Sequence, residues 1–440
     1  MIEKEVMKMF GTFAEEKKKS LGDIIRFIIR ELKPRGNIFT PFNIISAPII
    51  LLGAFLIFLR LYYGLGSVTN LSQDYPWGIW IAFDVMCGVA FAGGAYVLCF
   101  VVYILNAEKY HTVIRATVLN GLLAYMFYAG AIFLDLGRWW NIVNPIIGRE
   151  FGVNSVLFLV AWHFLLYMLA ELIEFSPAIA EWLEAKKLRK ILSSMTLGAV
   201  IFGICLSTLH QSGLGALVMM AKPNIHPLWY TEFIPVLFFV SSIFAGLSMV
   251  IFEGTISHRV FHHVMDDEHR RLHDPIVFSL AKAAGVVMFG YFFLKVLVFI
   301  HGKQFGYLTT PMGYLFLVET VGLVLLPCYL YLRGAKLMSK KTVLIAAFMT
   351  MLGVILNRFN YVFIAYKWYL PLSERYIPTW MEVVITLAIV FAEIWVFRFC
   401  VNRMPVLRSA PDWAVAQDNE KKKEKRRIER VIPLTREVAL

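Results

Sequence analysis

FNIISAPIILLGAFLIFLRLYYG, residues 42–64, carries a single charged side chain, Arg60. Roughly 20 apolar residues suffice for a helix to cross the hydrocarbon of a bilayer, so this stretch reads as a membrane span. A strand reading fails, because an open sheet would leave backbone N–H and C=O groups unpaired in lipid. Nine more blocks of this kind follow, at 77–105, 111–138, 155–177, 190–210, 232–256, 275–300, 311–333, 342–365 and 378–400. The 440-residue chain is 59% hydrophobic and 17% charged, where a soluble domain has about 25% charged residues. The expectation is an all-α integral membrane protein with about ten transmembrane helices, multi-pass in the cell inner membrane. Residues 1–41 read as an N-terminal segment, 42–405 as the membrane domain and 406–440 as a basic tail.

Charge gives the orientation. Of 43 Lys and Arg, 33 fall in the tails and in the loops after the second, fourth, sixth and eighth blocks. The other loops and their edges hold seven: Arg60, Arg138, Arg149, Lys222, Lys303, Lys367 and Arg375. Lys282, Lys295 and Arg358 lie inside blocks. Basic residues concentrate on the cytoplasmic side, so both termini are expected there. The net charge of +12 is then a topology signal. No nucleic-acid partner is expected, because the basic residues sit at helix ends and not on one folded face. No signal-peptide pattern precedes the first block. Residues 22–32 read as an interfacial amphipathic helix. The run Lys421 to Arg427 is either simply solvated or drawn to anionic membrane lipid.

Cys87, Cys99, Cys205, Cys328 and Cys400 all fall inside blocks, with no C-x-x-C spacing. No metal and no iron–sulphur cluster is expected in this chain. A b-type haem calls for two deep, facing histidines. Only His163 reads as deep, with His111, His210 and His301 marginal, so no haem is expected. His258 and His262 stand at i,i+4, a spacing that metals use and that a basic juxtamembrane face also produces.

Ionisable side chains within a bilayer usually face a bundle interior or a cavity. Asp84 lies in the second block. Asp135 and Arg138 end the third at i,i+3, where they can pair. The fourth carries His163, Glu171 and Glu174. His163 and Glu174 share a helix face about 16 Å apart along the axis, a polar stripe suited to stepwise proton movement. His210 and Gln211 read as the outer end of the fifth block. Glu253 lies in the sixth. Lys295, Glu319 and Arg358 lie in the seventh to ninth, where Glu319 can pair with either cation. Glu382 and Glu393 share a face of the tenth, with Thr386 between them. Gly88, Gly93 and Gly94 suit close helix packing. Each buried group alone could simply be satisfied by a neighbouring helix.

The run PWGIWIAFD at Pro76 to Asp84, followed by Gly88 and Gly93–Gly94, resembles the NrfD/polysulfide-reductase family of membrane subunits. DLGRWWN at Asp135 to Asn141 and NSVLF at Asn154 to Phe158, with Glu174, Phe175 and Pro177 downstream, fit its HybB branch, the membrane subunit of nickel–iron hydrogenases. TLHQSGLG at Thr208 to Gly215 and HPLWY at His226 to Tyr230 are the most specific pieces. IFEG at Ile251, NRFN at Asn357 and PTWME at Pro378 complete the set. The resemblance runs from about residue 40 to 405. It implies two four-helix bundles, the second to fifth and sixth to ninth spans, with flanking helices. It also implies a quinone-reactive subunit that passes electrons between a periplasmic ferredoxin-like iron–sulphur subunit and menaquinone or ubiquinone, with a catalytic hydrogenase or other oxidoreductase subunit beyond. Where some members of the branch carry Glu directly after the NSVLF run, this chain has Leu159.

On this reading Asp84, Asp135, Arg138, His163, Glu174 and His210 handle quinone and protons in the outer half. Glu253, Glu319, Arg358, Glu382 and Glu393 are proton or pairing candidates. The outer loop Gln211 to Tyr230 either docks the iron–sulphur partner or folds back over the bundle mouth. The buried charge also suits a membrane subunit of another NrfD-type complex (molybdopterin or multihaem cytochrome), a proton-coupled transporter or a passive anchor. The topology has a direct test. A reporter that needs the periplasm, fused after Leu440, is expected to be inactive.

Overall fold

The computed structural model describes residues 21–35, 37–148 and 152–419. Arg149 and the basic run Lys421–Arg427 lie outside them. Among the described residues, ten helices are long and apolar enough to cross a membrane. They are α1 (Pro41–Tyr63), α2 (Trp80–Ile104), α3 (Glu108–Asp135), α4 (Val156–Trp182), α5 (Lys186–Met219), α6 (Ile234–Val260), α7 (Asp267–Gly302), α8 (Pro311–Lys336), α9 (Lys340–Ile364) and α10 (Trp380–Arg403). A shorter helix, Leu21–Leu32, precedes them with Ile29 and Leu32 exposed. Its end meets the end of α10, where the Arg403 side chain donates to the carbonyls of Glu31 and Lys33. That side is called the tail side here, and the opposite side the far side.

Local sequence explains the starts of the spans. Thr40, Ser155, Asp266, Thr310 and Ser339 each accept a first-turn backbone N–H, as N-caps do. Pro41 and Pro311 then occupy N1, where a missing N–H costs nothing. Thr379 and Glu382 close a reciprocal capping box on α10. Three spans, α2, α8 and α9, contain π-helical turns, of which Trp80–Cys87 in α2 and Val318–Leu325 in α8 are the longest at eight residues each. Such turns often mark functional sites, and these two carry Asp84 and Glu319.

The spans form two four-helix bundles, α2–α5 and α6–α9, with α1 and α10 packed together as flanking helices against α3. The chain is therefore an all-α, multi-pass integral membrane protein. The apolar stretch is 83% buried in α2 and 67% in α6 but 17% in α1, so α2 and α6 are the central pair. They cross at Gly93, Gly94 and Gly246. A Cβ on Gly246 would overlap the Gly94 backbone, and one on Gly93 would stand 2.7 Å from the Ser242 carbonyl oxygen. Lipid provides no hydrophobic drive for helix pairing, so close backbone approach at small residues carries the association.

Several block ends differ from the sequence reading. α5 runs past Gln211 to Met219, because Gln211 finds an interior acceptor in the Val89 carbonyl at 2.8 Å. α3 stops at Asp135, and Leu136 turns into extended backbone. Replacing Gly246 with Val should force α2 and α6 apart. The expected loss is roughly 1–3 kcal/mol or failure to accumulate, read as a lower melting temperature of the purified protein in detergent.

Candidate functional site

The first bundle holds a column of polar side chains that few protein atoms satisfy. Glu174 on α4 accepts a bond from Cys99 Sγ at 2.8 Å. One turn further in, Glu171 is buried, and neither carboxylate oxygen has a hydrogen-bond partner. Gly121 on α3 makes its room, since a Cβ there would collide with Glu171 Oε1. Tyr167 and Tyr125 follow, ring centroids 4.6 Å apart, their hydroxyls without partners. The Ser207 hydroxyl is unpartnered as well. The Tyr125 ring lies 5.8 Å from that of His210. His210 Nδ1 sits 3.2 Å from the Val160 carbonyl, and its Nε2 has no partner. His163 lies close by, its Nδ1 also unpartnered. Buried polar atoms are nearly always paired with protein or water. A run of incompletely paired hydroxyl, carboxyl and imidazole groups therefore suits water molecules and protons.

The predicted cluster of Asp84, Asp135, Arg138 and His163 does not assemble. Asp84 is fully buried but faces the flanking α10, accepting from Thr386 at 3.0 Å. Beside it Tyr128 donates to Glu393 at 3.4 Å, and Gly88 leaves space for the Tyr128 ring. Arg138 is exposed beyond the end of α3 and makes no ion pair with Asp135 among the described residues. The cation near Asp135 is Arg60, 1% exposed. Arg60 donates to the carbonyls of Leu134 and Leu136 and so caps the α3 C-terminus, where a cation complements the helix dipole. Glu382 belongs to the α10 cap, accepting from Tyr376, Asn70 and Thr379. Leu159 is 39% exposed on the outside of the bundle, away from the column.

The second bundle buries its charge differently. Glu319 Oε1 accepts from Lys295 at 2.7 Å and Asn357 at 2.8 Å. Its Oε2 accepts from Trp229 and Asn360, each at 2.7 Å. Four donors fill a carboxylate's roughly four lone-pair positions. Of the two predicted partners, Lys295 makes the ion pair. Arg358 is held instead by Asn357 Oδ1 and Ser241 and lies 3.6 Å from the Phe238 ring centroid. Nearer the tail side Glu253 accepts from Ser257, and His258 stacks on His273 at 4.3 Å. No group of three or more side chains able to hold a metal occurs among the described residues.

The outer loop folds back. Ile225, His226, Leu228 and Trp229 are buried, and the His226 N–H bonds to the Ala365 carbonyl at 2.9 Å. Burial pushes the His226 imidazole down to about 4, so it stays neutral, and its Nδ1 accepts from the Leu228 N–H. Of the aromatics expected here for docking, Trp229 is turned inward onto Glu319, while Tyr230 stays half-buried beside Lys222.

Residues 67–368 match the family described as polysulphide reductase, NrfD. The chain belongs to the NrfD family. A protein of Nitratidesulfovibrio vulgaris strain Hildenborough is 42% identical to this NrfD-family chain over 377 residues, 86% of it and 97% of the relative. The probable Ni/Fe-hydrogenase 2 b-type cytochrome subunit of Escherichia coli K12 is 31% identical over 377 residues, 84% of this chain and 94% of that protein. The chain is accordingly a respiratory oxidoreductase membrane subunit of the inner membrane. The second comparison corrects the expectation of no haem, because that relative is named for a b-type cytochrome, a haem protein. The expectation rested on His163 as the one deep histidine. The structure removes that premise, since His210 is buried beside it with a free ring nitrogen.

The saturated site around Glu319 has a structural signature that can be measured. Lys295→Met should cost roughly 3–5 kcal/mol by leaving a buried anion without its cation. The Lys295→Met, Glu319→Gln double variant should recover a good part of the loss. Melting temperatures of the wild type, both single variants and the double variant give the coupling.

Proposed function

We propose that this chain is the quinone-reactive membrane subunit of a respiratory complex, most closely of the nickel–iron hydrogenase type. In this reading the far side is periplasmic. A ferredoxin-like iron–sulphur subunit docks there, with a catalytic hydrogenase subunit beyond it. Reducing menaquinone or ubiquinone takes two electrons and two protons, so the site must join an electron donor outside to a proton supply within. The observation that carries the reading is the unsatisfied first-bundle column, Glu174, Glu171, Tyr167, Tyr125, His210 and His163. Carboxyl and imidazole groups can pass protons to a quinone oxygen. Water between them can bridge gaps that no side chain spans. Asp84, Thr386, Glu393 and Tyr128 form a second proton-bearing group at the edge of the same bundle. His163 and His210 each keep one ring nitrogen without a partner, but His210 is packed against Tyr125 and Phe164, so no step here is routed through a haem.

The test separates chemistry from assembly. Asp84→Asn keeps the acceptor for Thr386 but cannot carry a proton at ordinary pH. Glu174→Gln does the same at the tail-side end of the column. Both should lower quinone-linked activity by about 10²-fold or more, as loss of a proton-transferring group does. Subunit content by blot and activity with a soluble dye should stay near wild type in the same membranes. Unchanged quinone-linked activity in both variants would remove the proton role. Proportional loss of all three signals would point to a packing role instead.

A further inference from the structure

After α10 the chain does not leave the protein. Met404, Val406 and Leu407 are buried, and the segment ties the two bundles together. Arg115 on α3 donates to the Pro405 carbonyl at 3.0 Å. The Ser409 N–H and hydroxyl both donate to Asp266 at the start of α7, the N–H at 2.7 Å. Burial would raise the Asp266 carboxyl, but the hydrogen bonds from Ser409 and His269 outweigh it and hold the group below the usual carboxylate range. This anchor therefore stays anionic. A last helical stretch, residues 412–419, then returns to the first bundle. There Arg189 on α5 donates to the Ala414 carbonyl and to both oxygens of Asp418, the latter at 2.6 Å each.

Arg189 and Asp418 stand at the edge of a partly open cavity of about 350 Å³. Tyr103, Arg115, Glu174, Arg189 and Thr196 line it, and Asp418 forms part of its wall. Glu174 is the tail-side end of the polar column, so this cavity is where water would meet it. We propose that residues 410–419 are a gate at that mouth, latched by Arg189 on Asp418 and on the Ala414 carbonyl and hinged at the Ser409–Asp266 anchor.

The latch is built to open without damage. The Asp418 side chain is 46% exposed, while those of Arg189 and Glu181 are 5% and 0% exposed. When Asp418 swings into water, Arg189 keeps Glu181 at 3.2 Å, and Glu181 keeps Arg115 at 2.7 Å. No buried charge is stranded, which is the condition that makes breaking an ion pair expensive. A half-exposed pair of this kind opens at modest cost.

The gate rests on the reading of the column as a proton route, but it can be tested without quinone, partner or electron donor. A cysteine placed at Thr196 reports the cavity through its reaction rate with a water-soluble maleimide, measured on the purified full chain against the parent protein with its native cysteines. Asp418→Ala should raise that rate about tenfold, the factor expected for losing one charge-assisted bond. A chain ending at residue 410 should do the same, and Asp418→Glu should return the rate to that of the parent latch. Equal rates with Asp418 and with Ala at this position would overturn the gate. If the rate rises while Glu174→Gln leaves quinone-linked activity unchanged, the gate stands and the proton reading falls.

Discussion

Two helix backbones meet at Gly93–Gly94 and Gly246 with no side chain between them, and the two-bundle architecture depends on that contact. With α2 and α6 in direct touch, larger side chains on either side must turn into one bundle or the other. Each bundle thereby gains a central helix enclosed by protein, the setting in which intramembrane charge is tolerated. The same seam also carries polar pairing, because Tyr96 and Ser242 bond across it at 2.9 Å. Arg358 reaches it from α9 through Ser241. A wider crossing would separate these groups and admit lipid, in which none of them has a partner.

The two bundles then bury charge in opposite ways. Around Glu319 every oxygen position is taken, and the loop bearing Trp229 is folded inward to supply one of the donors. A carboxylate so held is fixed in one place, which suits a rigid scaffold. Around Glu171 no donor is in bonding geometry, and the neighbouring group is the Tyr167 hydroxyl on the same helix. Leaving a buried carboxyl without a full set of donors is costly. The contrast separates roles that composition alone merges.

Spans were legible because lipid imposes length and apolarity directly on sequence. Their ends were less so. The fifth block looked finished at His210 because Gln211, Ser212 and Gly213 interrupt the apolar run. Gln211 in fact points inward, to a backbone acceptor on α2, and this places His210 well inside the bundle. Arg60 read as a loop-edge charge, yet it caps a neighbouring helix that no pattern in its own block reveals. Arg138 read as a partner for Asp135 on helical spacing, which fails once the helix stops at Asp135. Tyr125 and Tyr167 escaped notice because buried aromatics on helical spacing read as core. The usable signal was their company, Glu171 on the same helix as Tyr167 and Gly121 on the same helix as Tyr125.

Gly121 also bears on whether the column is functional or incidental. A bundle interior is packed like a solid, and space beside a helix is normally filled by a larger side chain. Here a glycine keeps space open, and what occupies it is a carboxylate that receives no donor from the helix it faces. A structural acid would be expected to gain bonds from such close approach, as Glu319 does from four side chains. Glu171 gains only room. Hydrogen bonding is given up at one point, between a tail-side cavity and the buried His210. That combination is costly for a scaffold and useful for a group whose task is to take up a proton and release it.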